Sequence, residues 1–370
     1  MSWAQVKAGD LIELENGYAF KSDEYTEGGH FLMRITNVQQ GYISKQNPKY
    51  VSLSQQPNLK QFELYEGDML MSLTGNVGRV GILQTHHLPA ALNQRVARIK
   101  IKDPRKIDKN FLFAFLNSDK TRESIEKLAN GAAQLNVSTK DIKSLTIPLP
   151  PLTEQKRIAA ILDKADEIRR KREQTIAKLD QLAQSIFVEM FGDQKTNPKC
   201  ISKRKLGELI KLKSGNFLPA TAMHENGVYP VFGGNGVNGY HNEYMFADSK
   251  IVIGRVGVYC GCVHVTQDFS WVTDNALYVD EIDKELDFGY LSFALKAAKL
   301  NSVSSKSGQP LVSGSRIYPV EILVPPLEQQ YLFSERIKLL NAQYPIVKAA
   351  LNKQTQLFAS LQHQAFTGNL

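Results

Sequence analysis

Three groups of residues in this 370-residue chain have types and spacings that could carry chemistry. Gly234-Asn235-Gly236-Val237-Asn238-Gly239 spells the glycine pattern that cradles a dinucleotide pyrophosphate. Such a site needs a strand before it and a helix after it, and Tyr240-His241-Asn242-Glu243-Tyr244 offers no helix. A flexible loop is the favoured reading. Asn47-Pro48-Lys49-Tyr50 is one residue away from the Asn-Pro-Pro-Tyr signature of adenine methylation, but no cofactor-binding glycine motif accompanies it, so a turn is favoured. Cys260, Cys262 and His264 would share one face of a strand; three ligands without a second cysteine pair favour packed core thiols over zinc. No G-x-x-x-x-G-K-[ST] motif is present, so a nucleotide-driven motor is excluded on this chain. No catalytic residue, cofactor site or metal site is assigned.

The elements that must position any remaining site are two long amphipathic segments. Residues 147–192 contain Pro150-Pro151, then no Pro or Gly until Gly192, a good residue to end a helix. Thr153 can serve as N-cap, with Glu154 in the first turn. Ile161, Ala165, Ile168, Arg172, Thr175, Leu179, Leu182 and Ile186 follow a 4-3-4-3 spacing that a partner helix would cover. From Thr153 to Met190, a straight helix would run roughly 57 Å, too long for one globular core. The partner lies in the same chain. Pro325-Pro326-Leu327 repeats Pro150-Pro151-Leu152 at a spacing of 175, which also pairs Gln155 with Gln330, Leu182 with Leu357 and Phe191 with Phe366. Pro345 is expected to kink or interrupt the second helix near Tyr344.

The segments before the two helices also repeat. Gly9-Asp10-Leu11-Ile12 returns as Gly207-Glu208-Leu209-Ile210, and Gly17 as Gly215. Gly75-Asn76-Val77-Gly78 pairs with Gly254-Arg255-Val256-Gly257, and Gln134 with Gln309. The second copy lacks about 23 residues between its shared start and end. In the first copy, Asn16-Gly17 is a turn signal after a strand at 11–14. Strands are expected at 31–38, 69–73 and 95–101, and one helix from Phe111 through Leu128. The fold class is therefore mixed α/β: two similar α/β domains separated by two long antiparallel coiled-coil helices, related by a pseudo-two-fold axis. The expected boundaries are 1–149, 150–195, 196–324 and 325–370.

Composition sets broad limits. Hydrophobic residues make up 42% and charged residues 22%, and no apolar run could span a bilayer. Three cysteines form no disulfide framework, which points to the cytoplasm. A net charge of +8 tilts the odds toward a polyanionic partner.

On these residues the chain resembles the specificity subunit of type I restriction-modification enzymes. The resemblance is carried by Ile147-Pro148-Leu149-Pro150-Pro151-Leu152-Thr153-Glu154-Gln155, by Gly67-Asp68-Met69-Leu70, and by the closing Pro-Pro-Leu-x-x-Gln helix of each half. It implies two target recognition domains on double-stranded DNA and conserved helices that bind two methyltransferase subunits. It also implies added motor-nuclease subunits, and no membrane. S-adenosylmethionine, ATP and Mg²⁺ would then sit on those partners and none on this chain, which would be non-catalytic. The rivals are a stand-alone DNA methyltransferase or nuclease, which the missing cofactor motifs oppose, and a coiled-coil protein-binding adaptor.

Base edges are read by Arg, Lys, Asn and Gln, and phosphates by these together with Ser, Thr and backbone N–H groups. The candidate DNA contacts in the first domain are Lys21, Arg34, Thr36, Asn37, Thr74, Asn76, Arg79, Asn93, Gln94, Arg95 and Gln134. In the second they are Asn216, Asn235, Asn238, His241, Arg255, Ser305, Lys306 and Gln309. Arg34 and Arg95 lie in strand-like runs, where pairing with acidic neighbours competes with DNA contact. Arg169-Arg170-Lys171-Arg172 points in four directions beside Asp163, Asp166, Glu167 and Glu173, which favours a solvated or partner-facing helix surface over a phosphate clamp.

Overall fold

The computed structural model describes residues 3–53, 57–129, 135–305 and 308–370. Gln134 and Lys306 lie outside them. The chain forms two compact units: 1–173 with 349–370, and 174–348.

Unit 1 is built on two sheets. The four-stranded sheet orders Val80–Ile82, Met69–Ser72, Val96–Ile101 and Ile12–Asn16, all antiparallel neighbours. The five-stranded sheet pairs Ala90–Leu92 parallel to His30–Met33 and carries Tyr50–Val51, Tyr25–Thr26 and Glu63–Leu64. The expected strand at 31–38 stops at Met33, because Arg34 opens a turn that Asn37 locks. The expected single helix from Phe111 is two, Lys109–Leu116 and Asp119–Leu128. Ser118 breaks it and caps the second piece, its hydroxyl accepting from the Thr121 N–H, a stronger local preference there than helix continuation. Asn16-Gly17 is not a hairpin turn. Its strand pairs with Val96–Ile101, and Gly17 instead passes hard against the backbone of Leu92.

Arg98 holds the two sheets' polar seam. It is 7% exposed; its Nε and Nη2 donate to Glu15 Oε2 at 2.9 and 2.6 Å, and its Nη1 to the Glu63 carbonyl at 3.1 Å. Lys100 also reaches Glu15, at 2.6 Å. Burial pushes the Glu15 carboxyl up, but the Lys100 and Arg98 bonds outweigh it and leave it below the usual value of 4.5. A depressed carboxyl contributes stability above its unfolded value, and that stability is lost as pH falls through the folded one. Glu15→Gln is therefore expected to flatten the fall in urea midpoint below about pH 4.5. An unchanged acid slope would remove Glu15 from the acid response.

Unit 2 repeats the plan with different side chains. Its four-stranded sheet orders Val263–Val265, Ile251–Gly254, Ala276–Ile282 and Ile210–Ser214. Its second sheet has three strands where unit 1 has five, with Trp271–Val272 parallel to Tyr229–Gly233. The reduction falls where the second copy is shorter in sequence. In both units the first strand pairs antiparallel with the last, Ala4–Lys7 with Thr146–Leu149 and Lys203–Lys205 with Glu321–Leu323.

The long helices are Leu152–Phe191 and Leu327–Thr367, each about 60 Å if straight. The first begins at Leu152, its opening N–H groups bonding the Pro151 carbonyl, so Thr153 lies inside the first turn and is not the N-cap. Gly192 follows its end at φ +80°. Within unit 1, Ile158, Ala159 and Leu162 pack with Phe358, Leu361 and Ala365. Within unit 2, Phe187 and Phe191 pack with Phe333 and Ile337. In unit 1 Arg157 reaches Leu370 and Arg169 lies over the Phe358 ring, so the paired segments run in opposite directions; in unit 2 the end of the first helix meets the start of the second at Phe187 and Phe333. The covered stripe is shifted from the expected one. Gln155, Ile158, Ala159, Leu162 and Phe187 are buried, whereas Ile168, Thr175 and Leu182 are exposed. A helix that packs on sheets and helices at its ends turns a wider face inward than a pure heptad seam.

Pro345 does not interrupt the second helix. Asn341, four residues earlier, is exposed, so water can take the carbonyl that Pro345 leaves without a donor.

Candidate nucleic-acid interface

The ends of the four-stranded sheets gather loops by backbone bonds. In unit 1 the Gln94 N–H donates to the Tyr18 carbonyl at 2.9 Å, and the Leu73 N–H to the Arg95 carbonyl at 3.0 Å. The Gly75 N–H reaches the Leu135 carbonyl at 2.8 Å, and the Val137 N–H the Leu73 carbonyl at 2.9 Å. Segments around 18, 73–79, 93–95 and 135–137 thus form one ledge. Unit 2 repeats three of these bonds, Arg255 N–H to Asn275 O at 3.0 Å, Gly257 N–H to Pro310 O at 2.9 Å and Val312 N–H to Arg255 O at 2.9 Å, and its Asn216 N–H to Val272 O at 2.9 Å matches Tyr18 N–H to Leu92 O at 3.0 Å in unit 1.

These bonds correct the sequence pairing of the two glycine turns. Gly75 and Gly78 have φ of +74° and +76°; Gly257 and Gly261 have +75° and +80°. Gly78 donates to Ser72 O, and Gly261 to Gly254 O. Gly75 therefore matches Gly257, not Gly254, and the pairing moves by three residues. An extra residue inside the second turn hid this.

On the first ledge, Asn76, Gln94 and Arg95 are exposed and Thr74 is buried. Arg79 donates from Nη1 to Gln39 Oε1 at 2.7 Å, and Arg122 from Nη1 to Gln40 Oε1 at 2.6 Å. Asn76, Arg79, Gln39, Gln40 and Arg122 line one cleft of about 280 Å³. Gln39, Gln40 and Arg122 were missed from sequence; Gln39-Gln40 before Gly41 was the only local signal. Asn93 is buried and accepts the Arg95 N–H at 3.2 Å, a turn-holding role. Among the described residues Arg95 has no acidic partner; the buried pairing belongs to Arg98.

Other first-domain candidates stand apart from surface reading. Asn37 is 0% exposed and fully used: its Oδ1 accepts the Arg34 N–H, and its Nδ2 donates to the Ser44 and Gln46 carbonyls. It is scaffold, not a DNA contact. Arg34 donates from Nη2 to the Asn47 carbonyl at 2.5 Å, closing the bend at Asn47-Pro48, where Asn47 has φ +48°. Thr36 and Lys21 are exposed.

On the second ledge, Asn216, Asn235 and Gln309 are exposed, and Ser305 braces its loop by accepting the Leu311 N–H at 3.0 Å. Arg255 donates from Nη1 to Ser214 Oγ at 3.3 Å. Asn275, equivalent to Arg95, is exposed and was also missed. Asn238 packs across Gly233, and His241 bonds the Ala222 carbonyl at 2.8 Å, edge-on to Trp271. The Gly234–Gly239 pattern is a β-hairpin, with strand Gly236–His241 and no helix, so neither a dinucleotide cradle nor a free loop. Cys260 is buried and Cys262 exposed, in the turn before strand Val263–Val265, so they do not share a strand face with His264. In the basic run, Arg169 pairs with Asp166 and Glu173, Arg170 with Asp166, and Lys171 with Glu167.

The sequence matches the model of the type I restriction modification DNA specificity domain over residues 1–181 and again over 198–355. The chain belongs to this family. Among curated relatives, the EcoprrI specificity subunit of Escherichia coli is 26% identical over 86% of this chain and 83% of its own length. The MjaVIII specificity subunit of Methanocaldococcus jannaschii is 34% identical over 48% of this chain, which spans only 43% of that relative. The crystal structure of the S subunit of M. genitalium superposes with a TM-score of 0.64 at 20% identity, covering 99% of this chain and 96% of that one, which supports the fold. As a type I specificity domain protein, the chain is a DNA recognition component and not the catalyst of its system. No described helix is long and apolar enough to cross a membrane.

Proposed function

We propose that each ledge reads one half of a split, asymmetric DNA target, and that the chain directs adenine methylation and cleavage performed by partner subunits. The observation that carries this reading is the repetition of one backbone ledge under different exposed side chains. A shared frame fits a shared duplex geometry; unlike side chains fit unlike half-sites. Segments 1–149 and 196–324 are proposed as the recognition domains, and 150–195 and 325–370 as helical spacers. Two methyltransferase subunits with S-adenosylmethionine, and motor-nuclease subunits with ATP and Mg²⁺, are the proposed partners, in the cytoplasm. Leu339, Ile346 and Leu357 are exposed on the second long helix, apolar area suited to a protein partner.

Binding of the assembled complex is expected to weaken steeply with salt, since most affinity comes from phosphates. Methylation-aware sequencing of DNA from cells expressing this chain with its cognate methyltransferase should reveal a two-part motif; none would defeat the proposal. Arg79→Ala or Gln94→Ala should lose about 1–3 kcal/mol of base discrimination in the first half-site alone. Equal weakening on every sequence would assign that residue to phosphate.

A further inference from the structure

One place on the two ledges carries opposite chemistry. Thr74 bridges Asn136 and Val256 bridges Leu311; the glycine after each has φ near +75° and donates to the opposing loop. The next residues, Asn76 and Val258, each follow the matched glycine directly and open the turn tip, which is two residues long in unit 1 and three in unit 2. The Asn76 carbonyl is held by the Ser72 hydroxyl at 2.5 Å, which fixes the backbone of an exposed residue. Val258 is 88% exposed, the most open of the exposed large hydrophobic residues described. Lone surface valines are ordinary. This one sits at the tip of a turn braced by Gly257, three residues from Arg255 and next to Gln309, which closes over Gly257.

Resting on the DNA-reading proposal, we infer that Val258 reads the 5-methyl group of a thymine, while Asn76 reads an adenine edge at the matching place of the other half-site. An asparagine amide offers one donor and one acceptor to adenine N7 and N6, whereas an aliphatic side chain can select only the pyrimidine methyl. The two ledges thus differ in base choice at one position while keeping the same approach to the groove.

The test uses the complex of the full chain with its methyltransferase subunits, on a duplex carrying the sequenced motif. Each thymine on either strand is replaced singly by deoxyuridine, which removes only the methyl group. One replacement should lower affinity about fourfold, the ~0.8 kcal/mol of a methylene-sized group converted at about 1.4 kcal/mol per tenfold. Val258→Ala should erase that difference, and Val258→Asn should move the preferred base there to adenine with the other half-site unchanged. The inference falls if no replacement matters to the wild-type complex, or if Val258→Ala still distinguishes thymine from uracil. The deoxyuridine scan needs no variant, so a misfolded substitution does not block it. A wild-type complex with no motif at all would instead overturn the DNA-reading proposal itself.

Discussion

Replacing Gln155 by leucine is expected to destabilise unit 1 by about 2–4 kcal/mol, and Gln330→Leu to do the same to unit 2. Both glutamines are 0% exposed. The Gln155 Oε1 accepts the Asp108 N–H at 2.7 Å, and its Nε2 donates to the carbonyls of Lys106 and Pro150 at 3.0 and 2.9 Å. Gln330 makes the same three bonds, to the Asp287 N–H and to the carbonyls of Glu285 and Pro325, at 2.9, 2.8 and 2.8 Å. Each amide ties the first turn of a long helix to the loop that caps the domain's own helix, where Asp108 and Asp287 are N-caps. Leucine has similar size but leaves an N–H and a proline carbonyl unpartnered, and an unmade buried bond costs about 1–3 kcal/mol. Lys106 and Glu285 are exposed residues, so water relieves part of the loss. Gln155→Glu separates polarity from packing. Its carboxylate keeps the bond from Asp108 but faces two carbonyl oxygens, so its folded pKa is raised. The penalty is then present above the unfolded value and relieved as pH falls. Urea titration of the full chain should show a larger deficit at neutral pH than near pH 5. A Gln155→Leu midpoint within experimental scatter of the wild type would show that the amide is decoration.

The repeated Pro-Pro-Leu-x-x-Gln motif was legible as a repeat, and the glutamine matched at the same spacing as the prolines, but its task was not. Nothing in a linear pattern says that a polar residue four positions into a helix turns back to lock a loop about 45 residues away. The long helices and the doubled α/β plan followed from periodicity and self-similarity, because both are written in the order of the residues alone. The failures came where tertiary contact overrode local preference. Asn16-Gly17 has the composition of a hairpin turn but is a close approach of two backbones. Pro345 was expected to kink or interrupt its helix, and the interruption is absent because Pro345 stands where solvent can replace the missing donor. Asn37 has the chemistry of a base reader but is enclosed, its amide used by backbone. The candidate surface was half legible. Exposed tips such as Asn76, Gln94 and Gln309 were identified from turn composition, whereas Gln39, Gln40, Arg122 and Asn275 join the ledges through pairings across the sheets.

Gly17→Ala is expected to abolish discrimination in the first half-site, by more than tenfold, and leave the second intact; Gly215→Ala should do the reverse. A Cβ on Gly17 would stand 2.5 Å from the carbonyl carbon of Asn93 and closer still to that of Leu92. A Cβ on Gly215 would stand 2.7 Å from the carbonyl carbon of Thr273 and closer to the Val272 and Thr273 oxygens. The obstacle is backbone on both sides, so no side-chain rotation relieves it. The strand end must move away, which breaks the bond from Tyr18 N–H to Leu92 O at 3.0 Å and that from Gln94 N–H to Tyr18 O at 2.9 Å. Lost bonds plus strain amount to about 2–4 kcal/mol, within reach of a domain's whole stability margin. The displaced turn carries Gln94 and Arg95, and the Arg95 carbonyl holds Leu73 beside the Gly75 turn, so the disturbance passes along the whole ledge. Methylated motifs sequenced from cells carrying each variant provide the readout. A Gly17→Ala chain that still marks the full two-part motif would mean the backbones can separate without cost to reading. Loss of both halves from one substitution would mean that the two ledges do not read independently.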